Sequence, residues 1–145
     1  MLTPEICEAI LRDHYRKPRH RGVCEGGRRG EAENPACGDI VKLSLTVDDG
    51  GGRIACARFE GSGCAASQAA ASLVLGQVQG LAVAEARQRL ARLRELMHDP
   101  GVDPAMLDEE FGEAAAIFSF ARLPARVVCA TLAVSLLDRM LAEQG

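Results

Sequence analysis

The 145-residue sequence has no tryptophan, one tyrosine and four phenylalanines, so it offers few platforms on which nucleic-acid bases could stack. Seventeen basic and twenty acidic residues leave a net charge of −3, which is no footprint for a phosphate backbone. No apolar run approaches the length needed to span a bilayer. Glu5, Glu8, Arg12 and Asp13 interrupt the opening segment, which therefore lacks the pattern of a secretory leader. Neither nucleic acid nor membrane is an expected partner, and a cytoplasmic location is the default expectation.

What remains suits one folded domain over residues 1–145. Hydrophobic residues make up 48% and charged residues 26%, the balance of a globular chain rather than a disordered one. With aromatics scarce, Ala, Leu and Val must fill the core, which favours closely packed helices.

Leu2 to Tyr15 reads as an amphipathic helix, with Thr3 as N-cap, Pro4 at the first position and Ile6, Ile10 and Leu11 on one face. Residues 19–36 are rich in Gly and Arg and read as loop, with room for one edge strand. Val41, Leu43, Leu45 and Val47 alternate with Lys42, Ser44 and Thr46, the signature of a half-buried strand. A turn at Asp48–Gly52 and a second strand, Arg53 to Glu60, complete an antiparallel hairpin. Helices follow at about 65–79, at 83–97 with Leu90, Leu93 and Met97 on one stripe, and at 125–141 behind Pro124. Residues 98–113 read as an acidic loop with a short helix near Phe111. The order predicts an α+β fold: a small antiparallel β-sheet with helices packed against it.

Six cysteines remain to be placed: Cys7, Cys24, Cys37, Cys56, Cys64 and Cys129. Without a leader, thiols are expected rather than disulfides. Cys7, Cys24 and Cys56 stand outside any motif and read as buried or tolerated thiols. His14 and His20 read as capping or packing residues. The arginines of helix 83–97 read as a solvated face that pairs partly with the acidic residues 103–113.

The other three cysteines sit in distinctive settings. Asn34-Pro35-Ala36-Cys37-Gly38-Asp39 puts a soft thiolate and a hard carboxylate in one loop. Gly61-Ser62-Gly63-Cys64-Ala65-Ala66-Ser67 puts Cys64 at a helix N-terminus, where the macrodipole favours a thiolate. Leu123-Pro124-Ala125-Arg126-Val127-Val128-Cys129-Ala130 puts Arg126 three residues before Cys129, on the same helical face. Cys37, Asp39, Cys64 and Cys129 can supply the four ligands of a tetrahedral site. Spacing alone does not require this, because no CxxC pair exists and inert buried cysteines fit it equally well. A thiol oxidoreductase is disfavoured for the same reason.

These three stretches, in this order, resemble the IscU/NifU/SufU family of iron–sulfur cluster assembly proteins. His14-Tyr15-Arg16-Lys17-Pro18-Arg19-His20-Arg21-Gly22 is similar to the family's HYxxPRxxG stretch, so the resemblance covers nearly the whole chain. It implies that Cys37, Cys64 and Cys129 bind metal or cluster and receive persulfide sulfur, and that Asp39 ligates zinc and affects cluster lability. Cys129, next to Arg126, is the expected sulfur acceptor. Val128 replaces the His that precedes the third cysteine in shorter IscU scaffolds, and Leu123-Pro124-Ala125-Arg126-Val127 replaces their LPPVK motif. Both departures, with the long segment between Cys64 and Cys129, resemble the SufU branch. That branch implies a zinc ion, sulfur accepted from a SufS-type cysteine desulfurase, and apo iron–sulfur proteins downstream. The expected role is a scaffold or zinc-dependent sulfur-transfer partner rather than a stand-alone enzyme. The alternatives are an IscU-type scaffold that hands on a [2Fe-2S] cluster, and a purely structural zinc-binding domain.

Overall fold

The computed structural model describes residues 2–48, 50 and 52–144. It opens with helix α1, Pro4–Arg16, whose N-cap Thr3 accepts a hydrogen bond from the Ile6 N–H. Three strands follow: β1, Arg28–Asn34; β2, Asp39–Val47; and β3, Ile54–Ser62. They form one antiparallel sheet in the order β1-β2-β3. Then come α2, Ala65–Val78, α3, Val83–Met97, and a short α4, Asp108–Phe111. A 3-10 segment over Gly112–Arg122 leads into the last helix, α5, Pro124–Gln144.

The inward side of the alternation read in β2 is observed, while on the other face Ser44 is buried too, where the Cys24 N–H meets its Oγ. Val41, Leu43 and Leu45 are buried, and with Ile54, Ala57 and Phe59 of β3 they form the inner face of the sheet. Helices α2 and α5 pack on that face, with α1 outside α2 and α3 outside α5. Small residues allow the close approach: Ala69, Ala70 and Ala71 of α2 and Ala130 and Ala133 of α5 are all buried. On β1, a Cβ at Gly30 would lie 2.7 Å from the Met140 Sδ, so α5 seats directly on that backbone. The buried side chains form one continuous core.

The helices stand close to where the sequence predicts them, and β1 is the edge strand allowed within residues 19–36. The turn expected over Asp48–Gly52 falls partly on Asp49 and Gly51, which lie outside the described residues. The 3-10 segment buries Ala114–Phe118 and had no sequence signal of its own. On α3, Arg92 pairs with Glu110 as expected, but Arg87 and Arg94 both reach Asp138 of α5.

One expectation is corrected. Cys24 and Cys56 are not thiols but form a disulfide. The segment after α1 runs along β3, with the Gly22 N–H donating to the Phe59 carbonyl and the Phe59 N–H to that of His20. It then crosses the outer face of the sheet toward β1, where the Cys24 N–H donates to the Ser44 Oγ. This crossing brings together two cysteines 32 residues apart. Cys7 remains a buried free thiol, as expected.

Candidate metal centre

The site is assembled where three chain reversals meet. Asn34, the last residue of β1, pairs with Asp39, the first of β2, so Pro35–Gly38 is the loop of a hairpin. The N–H groups of Cys37 and Gly38 both donate to the Asn34 carbonyl, and Gly38 takes φ +74°, a left-handed conformation that favours glycine. This tight loop leaves Cys37 exposed while Asp39 is fully buried beneath it. Cys64 is the N-cap of α2, and Cys129 lies in the second turn of α5, only 4% exposed.

Asp39 joins these elements. Its Oδ1 accepts the Cys64 backbone N–H at 2.7 Å. Its Oδ2 accepts from the thiols of Cys37 at 3.1 Å and Cys64 at 3.4 Å. Such an approach demands glycine at position 63, where φ is +141° and a Cβ would stand 2.1 Å from the Asp39 Oδ1. Burial alone would raise the Asp39 pKa, but hydrogen bonds from Cys129, Cys37 and Cys64 outweigh it and hold the carboxyl below its ordinary value. Burial pushes the Cys129 thiol well above the ordinary range, and its hydrogen bonds to Asp39, Cys37 and Cys64 add to the effect.

The ligand atoms of Cys37, Asp39 and Cys129 all lie within 4.8 Å of one another. The sulfurs of Cys37 and Cys129 are 3.4 Å apart, close to the roughly 3.7 Å that separates two sulfurs on one tetrahedral zinc. Cys64 lies outside that group of three, and its Sγ meets the Asp39 Oδ2 at 3.4 Å. Two sulfurs and one carboxylate oxygen at these distances suit a thiophilic metal, with a third thiol at hand on Cys64.

Asn34, at the head of the first motif, also belongs to the site. Its side-chain carbonyl accepts from the Ala36 N–H, which closes the turn. Its amide nitrogen then donates to the Cys37 Sγ at 3.0 Å and the Cys129 Sγ at 3.6 Å. A buried amide directed at two cysteines is legible only once the hairpin is known. Arg126 is exposed and lines an apolar groove with Cys64, Tyr15, Phe120 and Leu123. The groups that meet the Cys129 thiol are Asn34, Cys37, Asp39 and Cys64.

Cysteines of unequal exposure gathered around a buried carboxylate, at one end of a three-stranded sheet, are a donor set that suits metal binding in an α+β protein. Residues 7–126 match the family described as NifU-like N terminal domain, and the chain belongs to that family. It is 30% identical over 135 residues to the zinc-dependent sulfurtransferase SufU of Bacillus subtilis (strain 168), covering 93% of this chain and 88% of that protein. It is 34% identical over 125 residues to the iron–sulfur cluster assembly scaffold protein IscU of Streptococcus pyogenes serotype M1, covering 86% and 76%. Among solved structures, a putative iron–sulfur cluster assembly scaffold protein for the SUF system from Fervidobacterium islandicum AW-1 superimposes with a TM-score of 0.79. That pair is 27% identical, covering 91% of this chain and 93% of the other. The α+β fold is therefore that of the family, and the site lies on the motifs that resemble it.

Proposed function

We infer that the protein works in iron–sulfur cluster assembly as a SufU-type acceptor of sulfur from a cysteine desulfurase, with zinc as its resident ion. Cys37, Asp39, Cys64 and Cys129 would hold the zinc. When bound, zinc keeps the thiols deprotonated at neutral pH and adds no redox chemistry of its own. Three thiolates and one carboxylate carry −4, so Zn²⁺ leaves −2 on the site.

The observation that carries this reading is the uneven exposure of the three thiols. Cys37 is exposed at the tip of its hairpin, Cys64 is half-buried, and Cys129 is buried. A donor's persulfide must reach the sulfur that attacks it. That requirement favours Cys37 for first receipt of sulfur over Cys129, the acceptor expected from the sequence. Cys129, anchored in α5, acts as the fixed ligand. Arg126 lines the same groove as Cys64 and adds a cation to that side of the site.

In the transfer step a Cys37 thiolate attacks the outer sulfur of the desulfurase persulfide. The S–S bond to the desulfurase cysteine breaks, and that cysteine leaves as a thiolate. Asp39 suits a site that must later loosen, because a carboxylate holds a soft metal less firmly than a thiolate does.

A purely structural zinc site fits less well. The core is built from apolar side chains of β2, β3, α2, α3, α5 and the 3-10 segment, none of them a metal ligand, and a closed structural site has no use for an exposed ligand. The scaffold reading keeps one support: the same ligand set could grip iron and release a [2Fe-2S] cluster to apo-proteins. No helix among the described residues is long and apolar enough to cross a membrane.

The test is persulfide mapping after incubation with a SufS-type desulfurase and cysteine. Label should persist in Cys129→Ser and vanish in Cys37→Ser. The reverse pattern would restore Cys129 as first acceptor.

A further inference from the structure

The chain carries a second cysteine pair that the metal centre does not use. Cys56 pairs with Thr46 on β2, seven residues along the strand from Asp39. At the rise of an extended strand that is about 23 Å, too far for Cys24 or Cys56 to exchange sulfur or electrons with the ligand cysteines inside one molecule. The disulfide is a separate centre.

Its setting indicates its task. Cys24 is buried at the middle of the strap, residues 17–27, that crosses the outer face of the sheet. Upstream, the strap makes two hydrogen bonds along the free edge of β3, between Gly22 and Phe59 and between Phe59 and His20. It also touches α2 twice. The Arg19 N–H donates to the Ser72 Oγ at 2.9 Å, and the Arg21 guanidinium to the Gln68 Oε1 at 3.3 Å. Gln68 in turn donates its backbone N–H to the Cys64 carbonyl. The strap thus covers a sheet edge that would otherwise stand open, and it braces the first turns of the helix that presents Cys64.

We propose that Cys24 and Cys56 form a reversible thiol–disulfide site that locks this strap to the sheet, with low-molecular-weight thiols and their disulfides as its reagents. Cys56 is half-buried and Cys24 is buried, so an incoming thiolate attacks the Cys56 sulfur and Cys24 leaves as the thiolate. A second reagent thiolate then attacks the mixed disulfide and frees Cys56. In total, two reagent thiols become one disulfide, and two electrons and two protons pass to the protein pair. Closure is the reverse reaction, with the reagent disulfide as oxidant. The closed state ties down a 32-residue separation, which limits the unfolded chain, and it does so whether or not the metal centre is filled.

Amide hydrogen exchange on the zinc-loaded full chain tests this directly, because the Phe59 and Gly22 N–H groups are protected by the strap itself. A phosphine reductant should open the pair, as checked by alkylation of Cys24 and Cys56. Exchange at Gly22 and Phe59 should then rise at least about tenfold, while Val74 in the middle of α2 stays protected. The melting temperature should fall by roughly 10 °C. A Cys24→Ser, Cys56→Ser double variant should match the reduced protein and lose all response to the reductant. The proposal is overturned if air-equilibrated protein alkylates at both cysteines, or if verified reduction leaves exchange at Gly22 and Phe59 unchanged.

Discussion

The Asp39 carboxylate accepts the Cys64 backbone N–H on one oxygen and the thiols of Cys37 and Cys64 on the other. One side chain thus fixes the start of α2 to the start of β2 and also supplies the hard donor among three soft ones. Its two tasks should separate on mutation. Asp39→Ala should lengthen the lifetime of a bound cluster or metal, measured as loss of colour or zinc to a chelator. The same change leaves the Cys64 N–H without its partner and should lower unfolding stability by about 1–3 kcal/mol in a denaturant titration. A variant that loses metal faster would assign Asp39 a retaining role.

Gly63 should tolerate no side chain. A Cβ there meets the Asp39 carboxylate, and the backbone conformation is one that L-residues rarely adopt. Gly63→Ala should cost about 2 kcal/mol or more and weaken zinc binding at least tenfold in a competition with a chromophoric chelator. Gly38→Ala makes a useful contrast, because nothing lies within 4 Å of its added Cβ and only the φ penalty applies.

Asn34 directs its amide at two ligand sulfurs without being a ligand itself. Asn34→Ala should weaken zinc binding by about 10- to 100-fold while leaving the number of bound zinc ions at saturation unchanged. Asn34→Asp would bring a negative charge against two thiolates and should be worse than alanine in the same assay.

His14 should make the fold sensitive to mild acid. Its Nδ1 meets the Ser72 Oγ at 2.7 Å, its Nε2 faces Glu113 at 3.5 Å, and Asp13 and Arg19 stand nearby. Burial, with the Arg19 charge, lowers its pKa below the usual 6.5 despite the opposing carboxylates. His20 is shifted the same way, by burial and by Arg58 and Arg19. Above pH 6.5 both folded and unfolded chains hold these rings neutral. Below it the unfolded chain takes up protons first, so stability is lost as pH falls toward the folded values. The melting temperature should drop between pH 7 and pH 5, and His14→Gln should shrink that drop.

Much of this molecule was legible in the sequence because periodicity reports local geometry. Val41, Leu43 and Leu45 alternate into the core as read, and Leu90, Leu93 and Met97 form the predicted stripe. The ligand set was legible through motif wording rather than spacing, since nothing local links Cys129 to Cys37. What escaped were facts set by tertiary crossings. The Cys24–Cys56 bond depends on a strap that crosses the sheet without periodicity of its own. The groove that Arg126 lines together with Cys64, Tyr15 and Phe120 likewise joins residues distant in sequence. The buried 3-10 segment escaped for a simpler reason, as Ala114–Ala116 suits almost any element.

X-ray absorption at the zinc edge, on protein purified without oxygen, reads the ligand shell itself. One zinc per chain is expected, bound by three sulfurs and one oxygen, with the oxygen lost in Asp39→Ala and one sulfur lost in Cys37→Ser. A protein that binds no zinc, or one whose zinc shell is unchanged by either substitution, would contradict this ligand set.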